Sequence, residues 1–287
     1  MKSDAASRME SLQRRLFGVA TGLFAAVGLS LVASLLVGAW RVIGEPRSLA
    51  NVLGNFWDPL KGQFGLIPFV VSTLAVTAIA LVLAVVLGLG IGVTLSRQLK
   101  ESWSRRLIQV LTVLTAVPSV IFGWWGLQTV VPWVRDFLGG PGFSLLAAGI
   151  VLSVMILPTM SLFFTNAMRS VPKSFQEGSA ALGATADQTL LRLVIPCAFP
   201  GLVQGLLVAV ARAVGETMAV QMVIGGQTLM PSGINGPGAT LTTQLLTDLT
   251  VFPPGTEGHA VLDVMALMLL GGMYLFVRAS ERWGRPR

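Results

Sequence analysis

The sequence predicts an all-α, polytopic membrane protein with six transmembrane helices. The composition is 53% hydrophobic and only 11% charged, with a mean hydropathy of +0.75, whereas a soluble domain has about 25% charged residues. Apolar stretches long enough to cross a bilayer recur along the chain, and the basic residues concentrate in alternate connecting segments. These observations together indicate a membrane-embedded helical bundle.

A spanning α-helix needs about 20 predominantly apolar residues. The predicted spans are residues 16–40, 66–95, 107–134, 143–168, 195–225 and 259–277. The second, third and fifth are long enough to tilt or to extend beyond the bilayer. The first is longer than the apolar core of about 7 to 15 residues in a cleaved signal peptide, so we expect a retained signal anchor.

The distribution of Lys and Arg predicts the orientation of the chain. Fifteen of these residues lie in the N-terminal tail, in the segments after the second and fourth spans, and in the C-terminal tail, against four in the intervening segments. The positive-inside rule therefore predicts that both termini are cytoplasmic. The net charge of +7 does not indicate nucleic-acid binding, because no basic patch is interleaved with aromatic residues.

Two pairs of glycines with GxxxG spacing lie inside predicted spans, Gly88 with Gly92 and Gly201 with Gly205. Small residues four positions apart let membrane helices approach closely, so we expect helix packing at both pairs. The chain contains no GxxxxGK[ST] motif and therefore no phosphate-binding loop of that type.

Prolines within or at the ends of the spans predict bends. They are Pro118, Pro158, Pro196 and Pro200. The segment AVPSVIFGWWG (116–126) also contains Ser119 and two glycines. The sequence leaves two interpretations open, a kink that serves packing and a kink that lines a path.

No residue pattern in the chain predicts an enzyme or a metal site. The single histidine, His259, and the single cysteine, Cys197, have no metal-ligating neighbours in the sequence. No nucleophile–base arrangement or pair of carboxylates is apparent. We therefore expect no catalytic residues, no metal and no cofactor in this chain.

The segment ARAVGETMAV (211–220) places Arg212 and Glu216 inside an apolar run. On a continuous helix, residues four apart share one face. An arginine at the centre of a membrane helix costs about 2.5–3.5 kcal/mol on insertion scales. The pair is interpreted either as a structural ion pair or, as we favour, as a charged site on a path for a polar or ionic substrate. We include Thr217 and Ser119 in that predicted path.

Two connecting segments are distinctive. Residues 177–196, EGSAALGATADQTLLRLVIP, predict a short helix, a turn at Gly183 and a second helix that leads into a span. This element projects from the membrane, either to dock in a partner's groove or as a simple surface loop. Residues 226–258 lack Lys and Arg and form a Gly/Pro/Thr-rich external loop, with a short helix predicted over 239–249.

The cytoplasmic segment resembles the signature of the permease subunits of ABC importers, which reads EAA, three residues, G, nine residues, I-x-L-P. Glu177 begins the match, Gly183 takes the glycine position, and LVIP (193–196) ends it. Gly178 and Ser179 replace the two alanines. The resemblance assigns coupling to an ATPase to residues Glu177, Gly183, Ala184, Leu193 and Pro196.

Within that family, ARAVGETMAVQMVIGG resembles the fifth-span signature of the phosphate importer. The segments 64–74, 116–126 and 146–159 are similar to the same permease, whereas the first 60 residues are not diagnostic. The resemblance implies a type I importer fold over 61–287, with coupling segment 173–196 and external loop 226–258. Residues 1–60 hold the N-terminal tail, the first span and the start of an external loop.

The resemblance also implies partners: a different sister permease in a heterodimer, two ATPase subunits that hold ATP and Mg²⁺, an extracytoplasmic phosphate-binding protein, and membrane lipid. Arg212 would attract phosphate, while Glu216 would hold Arg212 and accept a hydrogen bond from a protonated phosphate oxygen. The alternatives are a permease for another oxyanion, such as molybdate, sulfate or phosphonate, and a membrane scaffold or sensor without transport.

Overall fold

The computed structural model describes residues 2–283, so Arg285 and Arg287 of the predicted cytoplasmic tail lie outside the described residues. The chain is helical almost throughout, with one short hairpin. The helices are α1 (Lys2–Ile43), α2 (Pro46–Val52), α3 (Ile67–Val93), α4 (Glu101–Thr115), α5 (Ser119–Trp125), α6 (Val131–Leu138), α7 (Leu145–Arg169), α8 (Lys173–Ala181), α9 (Ala186–Thr189), α10 (Ile195–Val214), α11 (Met218–Ile224), α12 (Leu241–Asp248) and α13 (Glu257–Trp283).

Five helical segments of the described chain are long and apolar enough to cross a membrane. They are Gln13–Ile43, Ile67–Gln98, Leu145–Arg169, Ala186–Val214 and Glu257–Arg282. The bent pair Glu101–Thr115 and Ser119–Leu138 makes a sixth when it is counted as one span. The prediction of an all-α protein with six spans is confirmed on that count.

Helix α7 is at the centre of the bundle and packs against both α3 and α10. A Cβ atom added to Gly92 would lie 3.0 Å from Phe164 Cβ, and one added to Gly205 would lie 2.6 Å from Phe163 Cβ. Gly88 and Gly201 make the corresponding contacts one turn away, with Phe164 and Ala167. The predicted role of both glycine pairs in helix packing is confirmed.

The third predicted span, 107–134, is not one straight helix. Helix α4 ends at Thr115, and the chain turns by 91° before α5 begins at Ser119. Pro118 stands at the turn, where it supplies no backbone N–H and disfavours helical geometry at the preceding residue. Beyond α5, a π-helical turn over Gly126–Val130 leads into α6.

The fifth predicted span, 195–225, is also broken. Helix α10 ends at Val214, and α11 begins at Met218 after a three-residue interruption. The two short helices that follow the breaks, α5 and α11, pack on each other. Their contact is close because Gly123 has no side chain: a Cβ there would lie 2.9 Å from Ala219 Cα.

At one end of the bundle, a small cap joins the first and last spans. A two-stranded hairpin, β1 (Trp57–Asp58) and β2 (Gln63–Phe64), pairs Trp57 with Phe64. These rings pack edge-to-face beside Phe69 of α3, in a second apolar core that includes residues of α1, α12 and α13. The predicted short helix in the 226–258 loop is present as α12.

The segment between α7 and α10 has the predicted form of helix, glycine turn and helix. Helix α8 is followed by Gly183 at a φ of 82°, a left-handed conformation that glycine adopts without steric cost. Thr185 and Gln188 then form a capping box at the start of α9. Helix α9 continues through a π-helical turn at Leu190–Val194 into α10, without a break.

Candidate functional site

The central polar feature of the bundle is an open cavity of 340 Å³ around Arg212. Three helices supply its walls: the last residue of α4, one face of α7 and the last turn of α10. The lining residues are Thr115, Thr159, Leu162, Phe163, Asn166 and Arg212. The two helix breaks, at 116–118 and 215–217, come within three residues after the lining residues Thr115 and Arg212 in the sequence.

Arg212 donates a hydrogen bond from Nη1 to Thr159 Oγ1 at 3.1 Å. Thr159 is at the fifteenth position of the 25-residue helix α7, which places the half-buried guanidinium near the middle of a spanning helix. A hydroxyl partner leaves the positive charge of Arg212 uncompensated. The guanidinium therefore presents a positive charge and further N–H donors to the cavity.

The structural ion pair between Arg212 and Glu216, which was the less favoured of the two interpretations, does not form: within residues 2–283, no salt bridge joins them. The prediction assumed a continuous helix with both residues on one face. In the structure, α10 ends at Val214 and the chain turns at Gly215. The four-residue spacing therefore does not place the two side chains on one helix face.

Glu216 instead stabilises the start of α11. Its Oε1 accepts a hydrogen bond from the backbone N–H of Ala219 at 3.1 Å, and its carbonyl oxygen accepts one from Thr242 Oγ1 at 2.8 Å. The carboxylate thus satisfies one of the N–H groups that a helix start leaves unpaired. Through Thr242, the same residue ties the break in the fifth span to helix α12.

The other two predicted path residues stand beside the cavity and are not among its lining residues. Ser119 is the first residue of α5, and Thr217 directly precedes α11. Both are partly buried. They mark the two helix breaks, whereas the wall itself is formed by residues of α4, α7 and α10.

Sequence reasoning missed three polar lining residues, Thr115, Thr159 and Asn166. One signal was available for two of them: Thr159 and Asn166 are seven residues apart in an apolar span, so they lie on one face of α7. Thr115 gave no such signal, because it reaches the cavity only where α4 ends.

The coupling segment is a second, exposed site. No residue of α8 is buried, and two large apolar side chains on it or next to it face outward, Phe175 at 55% and Leu182 at 90% exposure. Glu177 and Pro196 are exposed, whereas Ala184 and Leu193 are partly buried. Exposed apolar residues on a projecting helical element are typical of a surface that a partner covers.

His259 lies at the start of α13, where its Nδ1 is 3.1 Å from the carbonyl oxygen of Phe252. Over residues 2–283, no group of three or more His, Cys, Asp and Glu side chains is placed to hold a metal ion.

The fold and the sequence together define the class of this protein. Its residues 84–281 match the family described as binding-protein-dependent transport system inner membrane component, and the chain belongs to that family. It is therefore a multi-pass inner membrane protein with the fold of an ABC importer permease.

Individual relatives have more specific names than the family does. The chain is 39% identical over 225 residues to the probable ABC transporter permease protein YqgH of Bacillus subtilis, covering 77% of this chain and 72% of the relative. It is 31% identical over 288 residues to the phosphate transport system permease protein PstC of Haemophilus influenzae, covering 91% and 88%.

Among solved structures, an inward-facing form of the MetNI methionine ABC transporter matches 80% of this chain and 100% of its own, with a TM-score of 0.60 and 23% identity. This likeness concerns the fold alone.

Proposed function

We propose that this chain is one of the two permease subunits of an ATP-driven importer of inorganic phosphate, similar to PstC. The observation that carries the proposal is the position of Arg212. Its guanidinium lies in the interior of the bundle, faces an open polar cavity and has a hydroxyl partner in place of a carboxylate. An uncompensated arginine in such a place attracts an anion and can bind two of its oxygens at once.

The relatives support phosphate as that anion. Several proteins named phosphate transport system permease protein PstC align with most of the chain, including one from Mesorhizobium japonicum at 28% identity over 98% of it. Glu216, Thr217 and Ser119 then act at the helix breaks beside the path. Glu216 acts through the start of α11, not through an ion pair with Arg212.

The assembly that we propose follows the predicted partners. A PstA-like sister permease completes the path, two PstB-like ATPases hold ATP and Mg²⁺, and a PstS-like protein delivers phosphate from outside. In this proposal the nucleotide binds to those ATPases and not to this chain. The exposed Phe175 and Leu182 on the coupling segment supply an apolar surface for an ATPase. The excess of basic residues favours cytoplasmic termini, on the same side as the coupling segment.

The structure offers a direct mechanical route from the ATPase to the cavity. Residues Ala186–Val214 form one uninterrupted helical segment, which begins in the coupling segment and carries Arg212 in its last turn. Closure of the ATPases moves α8 and α9, and the continuous helical segment transmits this movement to the guanidinium. The movement of Arg212 then accompanies the opening of the path to one side of the membrane and its closing to the other, as in other domain-closure mechanisms.

The test is ATP-driven phosphate uptake by vesicles that contain the full complex, with binding-protein-stimulated ATPase activity measured in the same samples. Arg212→Gln should abolish uptake while the stimulated ATPase survives. The matched control is Arg135→Gln, because the Arg135 side chain is exposed and, among the described residues, its ion pair is with its neighbour Asp136 at 3.0 Å. Unchanged uptake in Arg212→Gln would contradict the proposal, as would uptake of sulfate or molybdate in place of phosphate by the unmodified complex.

A further inference from the structure

We infer that the cavity recognises the hydroxyl group of a protonated tetrahedral oxyanion, with Thr115 as the hydrogen-bond acceptor that selects it. The inference rests on the proposed function, since it assigns specificity to the same anion path. It replaces Glu216 as the acceptor, because the Glu216 carboxylate already accepts the Ala219 N–H and is not among the residues that line the cavity.

The hydroxyl hydrogen of Thr115, a residue that lines the cavity, already makes a hydrogen bond within α4. Thr115 Oγ1 donates to the carbonyl oxygen of Thr112 at 2.6 Å, so the hydroxyl proton points along α4. The oxygen keeps acceptor capacity for a group in the cavity. Thr115 therefore offers an acceptor and no free donor to a bound anion.

Thr159 has the opposite hydrogen-bonding role. Its Oγ1 accepts the Arg212 N–H, and its own hydroxyl proton has no acceptor among the described residues. Thr159 and Arg212 can both donate to an anion. The two threonines on facing helices thus provide complementary groups, a donor on α7 and an acceptor on α4.

Asn166 lies two turns along α7 from Thr159, on the same face and exposed in the cavity wall. Its side-chain amide has no hydrogen-bond partner within the described chain. The amide oxygen can accept and the amide nitrogen can donate. Leu162 and Phe163 line the wall between these two polar positions, so an anion that leaves Arg212 meets Asn166 as the next polar group on α7.

Neutral acceptors suit a protonated oxyanion. Phosphate and arsenate keep at least one O–H near neutral pH, whereas sulfate has none. Sulfate would place an oxygen against the lone pairs of Thr115 and leave that acceptor unpaired. A site built to pair with a substrate hydroxyl discriminates against an analogue that lacks it. Because no carboxylate lines the cavity, the acceptors add no charge repulsion against phosphate itself.

The test measures anion binding at the cavity without the binding protein, whose own specificity would otherwise mask the result. Leu162→Cys provides a thiol in the cavity wall, in a Cys197→Ser background because Cys197 is exposed. The complete permease–ATPase complex is treated with a thiol reagent in the presence of phosphate, arsenate or sulfate. Phosphate and arsenate should protect the thiol at concentrations at least roughly tenfold lower than sulfate.

Thr115→Val should reduce this preference by roughly three- to tenfold, as expected for one lost hydrogen bond. Thr112→Val is the matched control, since it keeps the Thr112 carbonyl and does not alter the cavity lining. Thr115→Ala is the second variant, in case Thr115→Val fails to assemble, and should reduce the preference by a similar factor. Asn166→Leu should instead weaken protection by all three anions, because the amide can donate as well as accept.

Equal protection by phosphate and sulfate would overturn the inference and leave the proposed function standing. An equal loss of preference in Thr112→Val and Thr115→Val would overturn it as well. Absence of protection by any of the three anions would contradict the proposed anion site, and with it both proposals.

Discussion

Arg212 and Thr159 join two spanning helices through a single hydrogen bond of 3.1 Å, from a guanidinium nitrogen to a hydroxyl oxygen. The bond crosses from the last turn of α10 to the middle of α7. It orients the guanidinium without neutralising its charge. A carboxylate at the same place would hold the arginine more strongly but would compete with an anionic substrate for it. The weaker partner therefore fits the proposed anion site, which would have to bind an anion and release it.

Removal of this hydrogen bond should weaken transport without loss of the fold. Thr159→Val keeps the side-chain shape and removes the hydroxyl. We expect phosphate uptake by the full complex to fall about tenfold, equivalent to about 1.4 kcal/mol, near the lower limit for a hydrogen bond to a charged group. Thr159→Ser restores the hydroxyl and should recover most of the uptake. If Thr159→Val transports as well as the unmodified protein, the hydroxyl does not orient Arg212.

Glu216 should respond to substitution as a helix-capping residue. Glu216→Gln keeps an acceptor for the Ala219 N–H but loses the charge that strengthens this bond, so we expect uptake to fall several-fold. Glu216→Ala leaves the Ala219 N–H unpaired and should lower the free energy of unfolding by about 1 kcal/mol more than Glu216→Gln does. Apparent melting temperature and uptake are measured together. A larger loss of uptake in Glu216→Gln than in Glu216→Ala would argue against capping and for a direct role of the carboxylate.

The turn of the coupling segment depends on glycine at position 183. Its φ of 82° places an alanine in the left-handed region, at a cost of about 1–2 kcal/mol, while no neighbouring atom lies within 4 Å of the added Cβ. We expect Gly183→Ala to lower uptake and stimulated ATPase activity together. Gly178→Ala is the control, because Gly178 is helical with equally open surroundings. Full docking and transport in Gly183→Ala would refute the role of this turn.

Asp248 on α12 predicts a pH effect on stability. Burial raises the pKa of its carboxyl above the ordinary value of 3.8, against the opposing hydrogen bonds from Gln244 and Trp57. The folded protein thus binds this proton more tightly than the unfolded chain. The unfolding free energy consequently falls as the pH rises from near 3.8 through the folded-state pKa.

Asp248→Asn removes that pH dependence. We expect the melting temperature of the variant relative to the unmodified protein to be higher at about pH 7.5 than at about pH 4. The comparison of two pH values cancels any constant loss from the altered Trp57 contact. A difference that stays the same at both values would show that Asp248 does not titrate with a raised pKa.

Local sequence patterns predicted several features because each depends on neighbouring residues. A turn was predicted at Gly183, and the structure has one there, with the glycine in the left-handed conformation. Gly92 and Gly205 predicted close helix contacts, and both face α7. The basic residues predict one orientation of the chain. These features follow from backbone geometry and side-chain size, which act over a few residues.

The candidate site was predictable only in part. Arg212 stood out because a charge in an apolar run is costly, but its partner did not. The sequence spacing indicated Glu216, whereas the break at Gly215 turned Glu216 towards α11 and left Thr159 beside the guanidinium.

The sequence by itself determined that this chain crosses a membrane several times, which segment forms a helix–turn–helix between two spans, and that an arginine lies inside a span. Only the tertiary structure decided where the third and fifth spans break and which side chains of α4, α7 and α10 surround that arginine. The physical reason is the range of the interactions. Hydropathy, turn geometry and charge cost are properties of neighbouring residues, whereas a cavity forms from helix ends that packing brings together from distant parts of the chain.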